Sequence, residues 1–369
     1  MANLFFIHTP LQLLVAQQII RQENLQDNVM LCGYVDDNVH FMDIYDMTII
    51  DRFWSAKVMM PQVARWAVMS RRHLWRDGKW AYKNYRFIKK VIKDYQIDTL
   101  YLGDMKNASC QLAAMSFHKK GLKTCFFEEG NGHYIMDGNY GKAGDLKDKI
   151  YATLIDTLYY MPLYGVRFGY VKYWKGFTLS DLPMDVRFSI VSFYHEPFDK
   201  LVSVKPLISK KLDKVLSEEL ESLDKNNPVL LMTSPLYEWV TGDEKEKGLY
   251  IKTIIDYCKS LGQGAGLHIK FHPRERKDVQ ERILQELTES GVGYIVLGKQ
   301  MNLPVEYYLQ YVHYDKIVMF ISSTSFYNGY LFPKMHFESI LRAYYDNCKA
   351  AGSPSVKYIE PLMAEIPKE

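Results

Sequence analysis

Thr124-Cys125-Phe126-Phe127-Glu128-Glu129-Gly130 is a short apolar run that ends in two carboxylates and a glycine. Read as a strand over Lys123–Phe127, it delivers Glu128 and Glu129 to the carboxyl end of a sheet. In open α/β sheets ligands bind in the crevice at that end. Gly130 lets the backbone turn there without a Cβ penalty. Adjacent acids oppose each other's ionisation, so one is drawn toward neutral pH, which suits a general base. The plainer reading is a strand end with solvated acids.

The surrounding chain repeats the pattern. Residues 3–7 read as a buried strand, His8-Thr9-Pro10 as a turn and residues 11–21 as an amphipathic helix with Pro10 at its start. Thr9 and Gln12 are thereby expected at the same lip as Glu128. Strands follow at 29–34 and 98–102, a helix at 111–118, and then the strand ending in Glu128. A helix at 145–164 is expected, a domain boundary in the region 180–205, and a charged helix at 205–224.

The second half alternates in the same way. Strands are expected at Pro228–Met232, 266–271, 293–297 and 316–321, with helices at 246–261 and 279–290 and a mainly helical end. Alternating strands and helices argue for parallel, doubly wound sheets. The expectation is two Rossmann-like α/β domains, 1–190 and 191–369, facing each other across a cleft.

Composition sets limits. The chain has 369 residues, a length typical of two domains, and 48% apolar residues, enough for a large core. A net charge of +3 is too small to argue for nucleic acid. The cysteines at 32, 110, 125, 258 and 348 show no CxxC spacing, which reads as reduced thiols in a cytoplasmic protein. The apolar opening is broken by His8, Pro10 and Gln12, so neither a secretory signal nor a membrane span is expected. The one basic stretch runs from Arg71 to Lys93 with interleaved aromatics. It is either a solvated helix face or a docking surface for an anionic membrane or an acidic polymer.

The strand exits of the second half carry polar groups. Thr233 and Ser234 follow one strand. His272 follows another, with Pro273 fixing the turn after it. Ser322-Ser323-Thr324-Ser325 precede an expected helix, where hydroxyls and backbone N–H groups hold a phosphate or simply cap the helix. Glu306 is suited to a ribose diol or to the first turn of a helix.

Glu128-Glu129-Gly130, His272-Pro273 and Ser322–Ser325, in that order, resemble the motifs of the bacterial sialyltransferases. The pattern is shared by the polysialyltransferases and the lipooligosaccharide sialyltransferases. The opening Phe5-Phe6-Ile7-His8-Thr9-Pro10-Leu11-Gln12 is similar to their N-terminal segment. The resemblance implies a two-domain glycosyltransferase of the GT-B type, inverting, with CMP-sialic acid as donor and neither metal nor cofactor. It makes Glu128 the general base, with an exchange of roles with Glu129 left open. It makes His272 the group that meets the CMP phosphate, and Ser322 and Ser323 the phosphate-binding pair, with Thr324 and Ser325 as near alternatives. Glu306 matches the acid on the cytidine ribose. The donor site then lies in the second domain and the acceptor site in the first.

An acceptor ending in sialic acid is anionic, so the basic stretch would also track it. That favours capsular polysialic acid synthesis at the inner membrane face over lipooligosaccharide. The rivals are transfer of another CMP-activated sugar acid such as Kdo, a non-catalytic role in polysaccharide assembly, and a nucleotide-sugar epimerase.

Overall fold

The computed structural model describes residues 2–33, 41–60, 74–103, 110, 113–114, 117–118, 120–128, 184–190, 199–203, 205–221, 228–239, 242–262, 266–299, 302–322, 324 and 334–363, the side chains of 41–42, 74–82 and 239 aside. The chain divides into two compact units. One comprises Met1–Asp37 and Tyr45–Ser209, the other Asn38–Ile44 and Lys210–Glu369.

The first unit is built on a seven-stranded sheet of order β3-β2-β1-β4-β5-β6-β7. Its strands are β1 (Ala2–Ile7), β2 (Asn28–Cys32), β3 (Ala56–Met59), β4 (Ile97–Leu102), β5 (Lys123–Phe127), β6 (Val186–Ser189) and β7 (Lys200–Leu201). Every neighbouring pair is parallel. Residues 3–7 read as an unbroken apolar run because β1 is covered on both faces. Leu4 and Phe6 join Val29, Leu31, Leu100, Leu102 and Phe126 in one core layer. Ile88 and Val91 of the helix α2 (Leu74–Asp94) complete that layer. Phe5 faces the other way, stacking on Tyr101 at 4.2 Å and meeting Trp54 edge-on at 5.5 Å.

The second unit has a five-stranded sheet of order β10-β9-β8-β11-β12, again wholly parallel. It consists of β8 (Pro228–Met232), β9 (Gly266–Lys270), β10 (Tyr294–Val296), β11 (Lys316–Met319) and β12 (His336–Ser339). The helices α3 (Lys210–Glu221), α4 (Glu244–Ser260), α5 (Lys277–Glu289), α6 (Val305–Tyr308), α7 (Leu341–Ala350) and α8 (Val356–Met363) accompany it. Tyr250 of α4 stacks on Phe320 at 4.8 Å, and Tyr344 of α7 packs edge-on against both rings.

Two doubly wound α/β units are what the alternation of strands and helices leads one to expect. The differences lie at or beside the sheet edges. No run in the sequence marks β3, β6, β7 or β12. β7 is a two-residue exposed strand, and β12 reads His-Phe-Glu-Ser where a mainly helical end was expected. β3, β7 and β12 end their sheets and β6 is a four-residue strand beside an edge, so none carries a long buried apolar run. Because β6 and β7 extend the first sheet through residues 186–201, the first unit runs past the expected division at 190/191 and closes at Ser209. The helix expected at 205–224 begins only at Lys210. The helix expected at 145–164 lies outside the described residues. Among the described residues no helix is long and apolar enough to cross a membrane.

The basic stretch falls on α2. Lys83, Arg86, Lys89, Lys90 and Lys93 lie exposed, while Asn84, Tyr85, Ile88 and Val91 are buried. Arg71 and Arg72 lie outside the described residues, as do the side chains of Arg76 and Lys79.

Two glycines mark close packing at the carboxyl edge of the first sheet. A Cβ on Gly33 would stand 2.2 Å from Nδ1 of His8, and one on Gly103 would stand 2.6 Å from the Phe127 ring and 2.9 Å from Cγ of Gln12. Gly103→Ala should therefore overpack this edge and cost about 1–3 kcal/mol, read as a lower urea midpoint at unchanged slope. His8 itself is buried against Phe6 and Cys110, and burial pushes its pKa down to about 3. The unfolded chain takes up that proton near pH 6.5, so stability is full above this value and falls on acidification toward pH 3. Over that window the loss from this one group is roughly 1.4 kcal/mol per pH unit. The urea midpoint of wild type should fall more steeply between pH 7 and 5 than that of His8→Asn, and equal slopes would refute the assignment.

Candidate active site

Parallel strands place every strand exit of a sheet at one edge, and ligands gather there at the point where strand order reverses. That point lies between β1 and β4 in the first sheet and between β8 and β11 in the second.

In the first unit the described side chains at this point pack against one another. Thr9 and Gln12, expected at the lip, form the two halves of a capping box on the helix α1 (Pro10–Gln22). The Gln12 N–H donates to Oγ1 of Thr9 at 3.2 Å, while Oε1 of Gln12 accepts from the Thr9 N–H at 3.3 Å and the His8 N–H at 2.5 Å. Gln12 is fully buried, so its amide serves the helix end. Glu128 stands at the exit of β5, as expected, but it is only 1% exposed. Its Oε2 accepts from the Ser189 hydroxyl at 2.7 Å and the Ile190 N–H at 2.9 Å, which ties the ends of β5 and β6 together. Glu129 and Gly130 lie outside the described residues.

The second unit brings the expected polar groups together. The His272 N–H donates to Oγ1 of Thr233 at 2.9 Å, linking the exits of β9 and β8. The hydroxyl of Ser234 donates to the Ile321 carbonyl at 3.0 Å, which bridges β8 to β11 across the reversal point. His272, Thr233, Ser234 and Ser322 therefore share one edge. Pro273 sits in a turn closed by the Glu275 N–H on the His272 carbonyl at 2.8 Å.

The imidazole of His272 is oriented by the same turn. The Arg274 N–H donates to its Nδ1 at 3.1 Å, so the neutral ring carries its proton on Nε2. Burial, then the charges of Arg274 and Lys270, lower its pKa to about 4. At neutral pH His272 is thus an uncharged donor through Nε2–H.

Ser322 and Thr324 split the expected phosphate motif. Oγ of Ser322 accepts from the Thr324 N–H at 3.2 Å. The Thr324 hydroxyl donates instead to Oε1 of Glu306 at 3.1 Å. Ser323 and Ser325 lie outside the described residues. Glu306 sits in the first turn of α6 at 4% exposure, and burial raises its pKa against the pull of Thr324 and Lys270.

Lys270 was not singled out from sequence. It ends β9 in the interior, donates to Oδ1 of Asn302 and lies 6.0 Å from the Tyr308 ring. Burial lowers its pKa to about 8, while Glu219 and Glu306 act to raise it. A lysine as the last residue of a buried strand, two positions before His-Pro, was the available signal. Among the described residues no group of three or more His, Cys, Asp or Glu side chains converges to hold a metal ion.

No curated protein matches this sequence. Solved structures resemble the chain over most of its length at low identity. The UDP-GlcNAc 2-epimerase of Neisseria meningitidis, bound to UDP-GlcNAc, is 13% identical, with 88% of this chain and 79% of that one aligned and a TM-score of 0.49. The α/β-galactoside α-2,3-sialyltransferase of Photobacterium phosphoreum is 12% identical over 91% and 89%, at 0.48. A 2,6-sialyltransferase from a Photobacterium species, in complex with CMP and lactose, is 12% identical over 88% and 69%, at 0.49. At these scores the likenesses add nothing to the topology already described. The family comparison is of another kind, because it spans residues 3–340 and so takes in both sheets and every motif discussed above. On that ground the chain belongs to the alpha-2,8-polysialyltransferase family and is a glycosyltransferase.

Proposed function

We propose that the protein transfers sialic acid from CMP-sialic acid to a hydroxyl of an anionic, sialic-acid-ended glycan, with inversion and without a metal. The observation that carries this reading is the His272 turn at the reversal point of the second sheet. It presents a neutral imidazole with its proton on Nε2, tied to Thr233 and beside Ser234 and Ser322. Such a donor set suits a phosphate whose charge grows as its bond to the sugar breaks.

In the proposed step the acceptor oxygen attacks the anomeric carbon as the bond to the CMP phosphate oxygen breaks, through an oxocarbenium-like state. The acceptor proton passes to a carboxylate of the Glu128-Glu129 pair. The burial of Glu128 and its two bonds to β6 support Glu129 as that base, with Glu128 holding the strand end. CMP leaves with its phosphate bonded by Nε2–H of His272. Lys270 and Glu306, close to one another beneath this edge, suit the nucleoside of the donor. The exposed cations of α2 suit an anionic acceptor, and equally an anionic membrane surface for peripheral contact.

CMP release from CMP-sialic acid, followed with EDTA present and with sialylated or galactose-ended acceptors, tests the proposal. Release should survive EDTA and be fastest with sialylated acceptors. Its dependence on acceptor should weaken as salt rises from about 0.01 to about 1 M. Glu129→Gln and His272→Ala should each lose about 10²–10³ in kcat. Glu128→Gln should lose less and unfold at a lower temperature. A collapse confined to Glu128→Gln would return the base to Glu128. No release with any acceptor, or release from CMP-Kdo alone, would overturn the donor.

A further inference from the structure

A carboxylate that neither motif nor resemblance singles out lies at the centre of the second unit's site edge. Glu275 closes the His-Pro turn through its backbone N–H, yet its side chain turns inward and is 4% exposed. Oε1 accepts from the Tyr237 hydroxyl at 2.9 Å and Oε2 from the Tyr250 hydroxyl at 2.9 Å. The Thr233 hydroxyl acts on the same carboxylate, favouring its charged form against burial. That hydroxyl also accepts the His272 N–H. Glu275 is thus tied to the His272 turn twice, directly by its own N–H on the His272 carbonyl and through Thr233, which meets both the His272 N–H and the carboxylate. The Tyr250 hydroxyl in turn accepts the Ser234 N–H at 3.1 Å, and Gln280 bonds the Glu275 carbonyl at 2.8 Å.

A buried acid is a costly way to fill space, and packed apolar side chains commonly do it with equal or greater stability. What a carboxylate adds is direction. Its oxygens order two hydroxyls, from the turn after β8 and from α4, beside the Thr233 hydroxyl at the β8 exit, and a charge-assisted network of this kind holds geometry more tightly than apolar contact. All of that order ends on the turn that carries His272.

We propose that Glu275 is a positioning residue: through Thr233, Tyr237 and Tyr250 its carboxylate locks the His272 turn and so fixes where the imidazole presents its Nε2–H to the donor phosphate. The importance of that geometry rests on the role given to His272 above. Glu275 does not touch the substrate in this account. In Glu275→Gln one acceptor oxygen becomes a donor, so one of the two tyrosine hydroxyls loses its acceptor and the turn loosens.

The test reads His272 directly. With 13C-labelled histidine and His272→Ala for assignment, the imidazole is titrated by NMR in the full chain. The wild-type midpoint should lie at about 4. In Glu275→Gln it should rise toward the free value of about 6.5, because a loosened turn lets water reach the ring. Loss of a nearby negative charge would by itself push the midpoint down, so a fall, or no change in a folded variant, overturns the proposal. In parallel, kcat/KM for CMP-sialic acid should drop about 10- to 100-fold in Glu275→Gln. It should drop less than about threefold when Glu275→Gln is placed on His272→Ala, since the effect acts through that ring. An equal drop in both backgrounds overturns it. If Glu275→Gln does not fold, Thr233→Val and Tyr250→Phe decide in its place: both must raise the midpoint, and an unmoved midpoint in either overturns the proposal. The titration needs no turnover, so failure of the donor assignment and failure of the positioning role are read separately.

Discussion

The constraint on which the rest depends is the parallel ladder. Every neighbouring strand pair in both sheets runs the same way. Parallel strands need a crossover for each connection, and the crossovers cover both faces of the sheet. The strands must then be apolar on both sides, as β1, β5 and β8 are, and polar chemistry is pushed out to the strand exits. Thr9, Gly103, Glu128 and Ile190 therefore share one edge of the first sheet, and Thr233, His272 and Ser322 one edge of the second.

The two edges meet this constraint differently. At the reversal point of the first sheet, His8, Gln12 and Phe127 close up around two glycines that leave no room for a Cβ. At the reversal point of the second, hydroxyls and backbone groups join three strand exits, with Lys270, Glu275 and Glu306 all buried within the same unit. Each buried charge is expensive unless partnered. Asn302, the hydroxyls of Tyr237 and Tyr250, and Thr324 provide the partners. Among the described residues, the first sheet's edge buries one such carboxylate, Glu128, held by Ser189 and Ile190. Three partnered charges in one unit are what the proposed donor site would call for.

Legibility in the sequence followed burial. Strands buried on both faces, Lys123–Phe127 and Pro228–Met232 among them, coincide with the expected bounds because nothing polar interrupts them. β3 alternates half-buried and exposed residues, β7 is a two-residue exposed strand and β12 is short and no more than half-buried, so their sequences look like loop. At the site, His272, Thr233 and Ser234 were legible because a strand exit can be read from the run before it. Thr9 and Gln12 were legible as a position only. Their side chains close a helix end, a local bond that competes with any ligand for the same atoms. Glu275 was not legible, because an acid in a His-Pro-Arg-Glu loop is ordinarily solvated and only the fold brings two tyrosines onto it. The serine run was read as a unit, whereas Thr324 pairs inward with Glu306, a contact set by where α6 lies.

On the proposed mechanism, a neutral His272 also has a catalytic logic that a fixed cation would lack. A cation at this edge would attract the donor phosphate about as strongly before the reaction as during it, and uniform binding does not speed the chemical step. A neutral imidazole donating through Nε2–H gains most when charge accumulates on the departing phosphate, because its bond strengthens as the acceptor oxygen becomes more basic. In that proposal, the burial, Arg274 and Lys270 that keep the ring unprotonated in the free protein would shift its contribution toward the transition state. That advantage holds only while Nδ1 stays bonded to the Arg274 N–H, since rotation or loss of the turn would exchange the donor for a lone pair. The need for a rigid turn thus follows from the choice of a neutral donor, and the buried carboxylate beneath it is the physical counterpart of that choice.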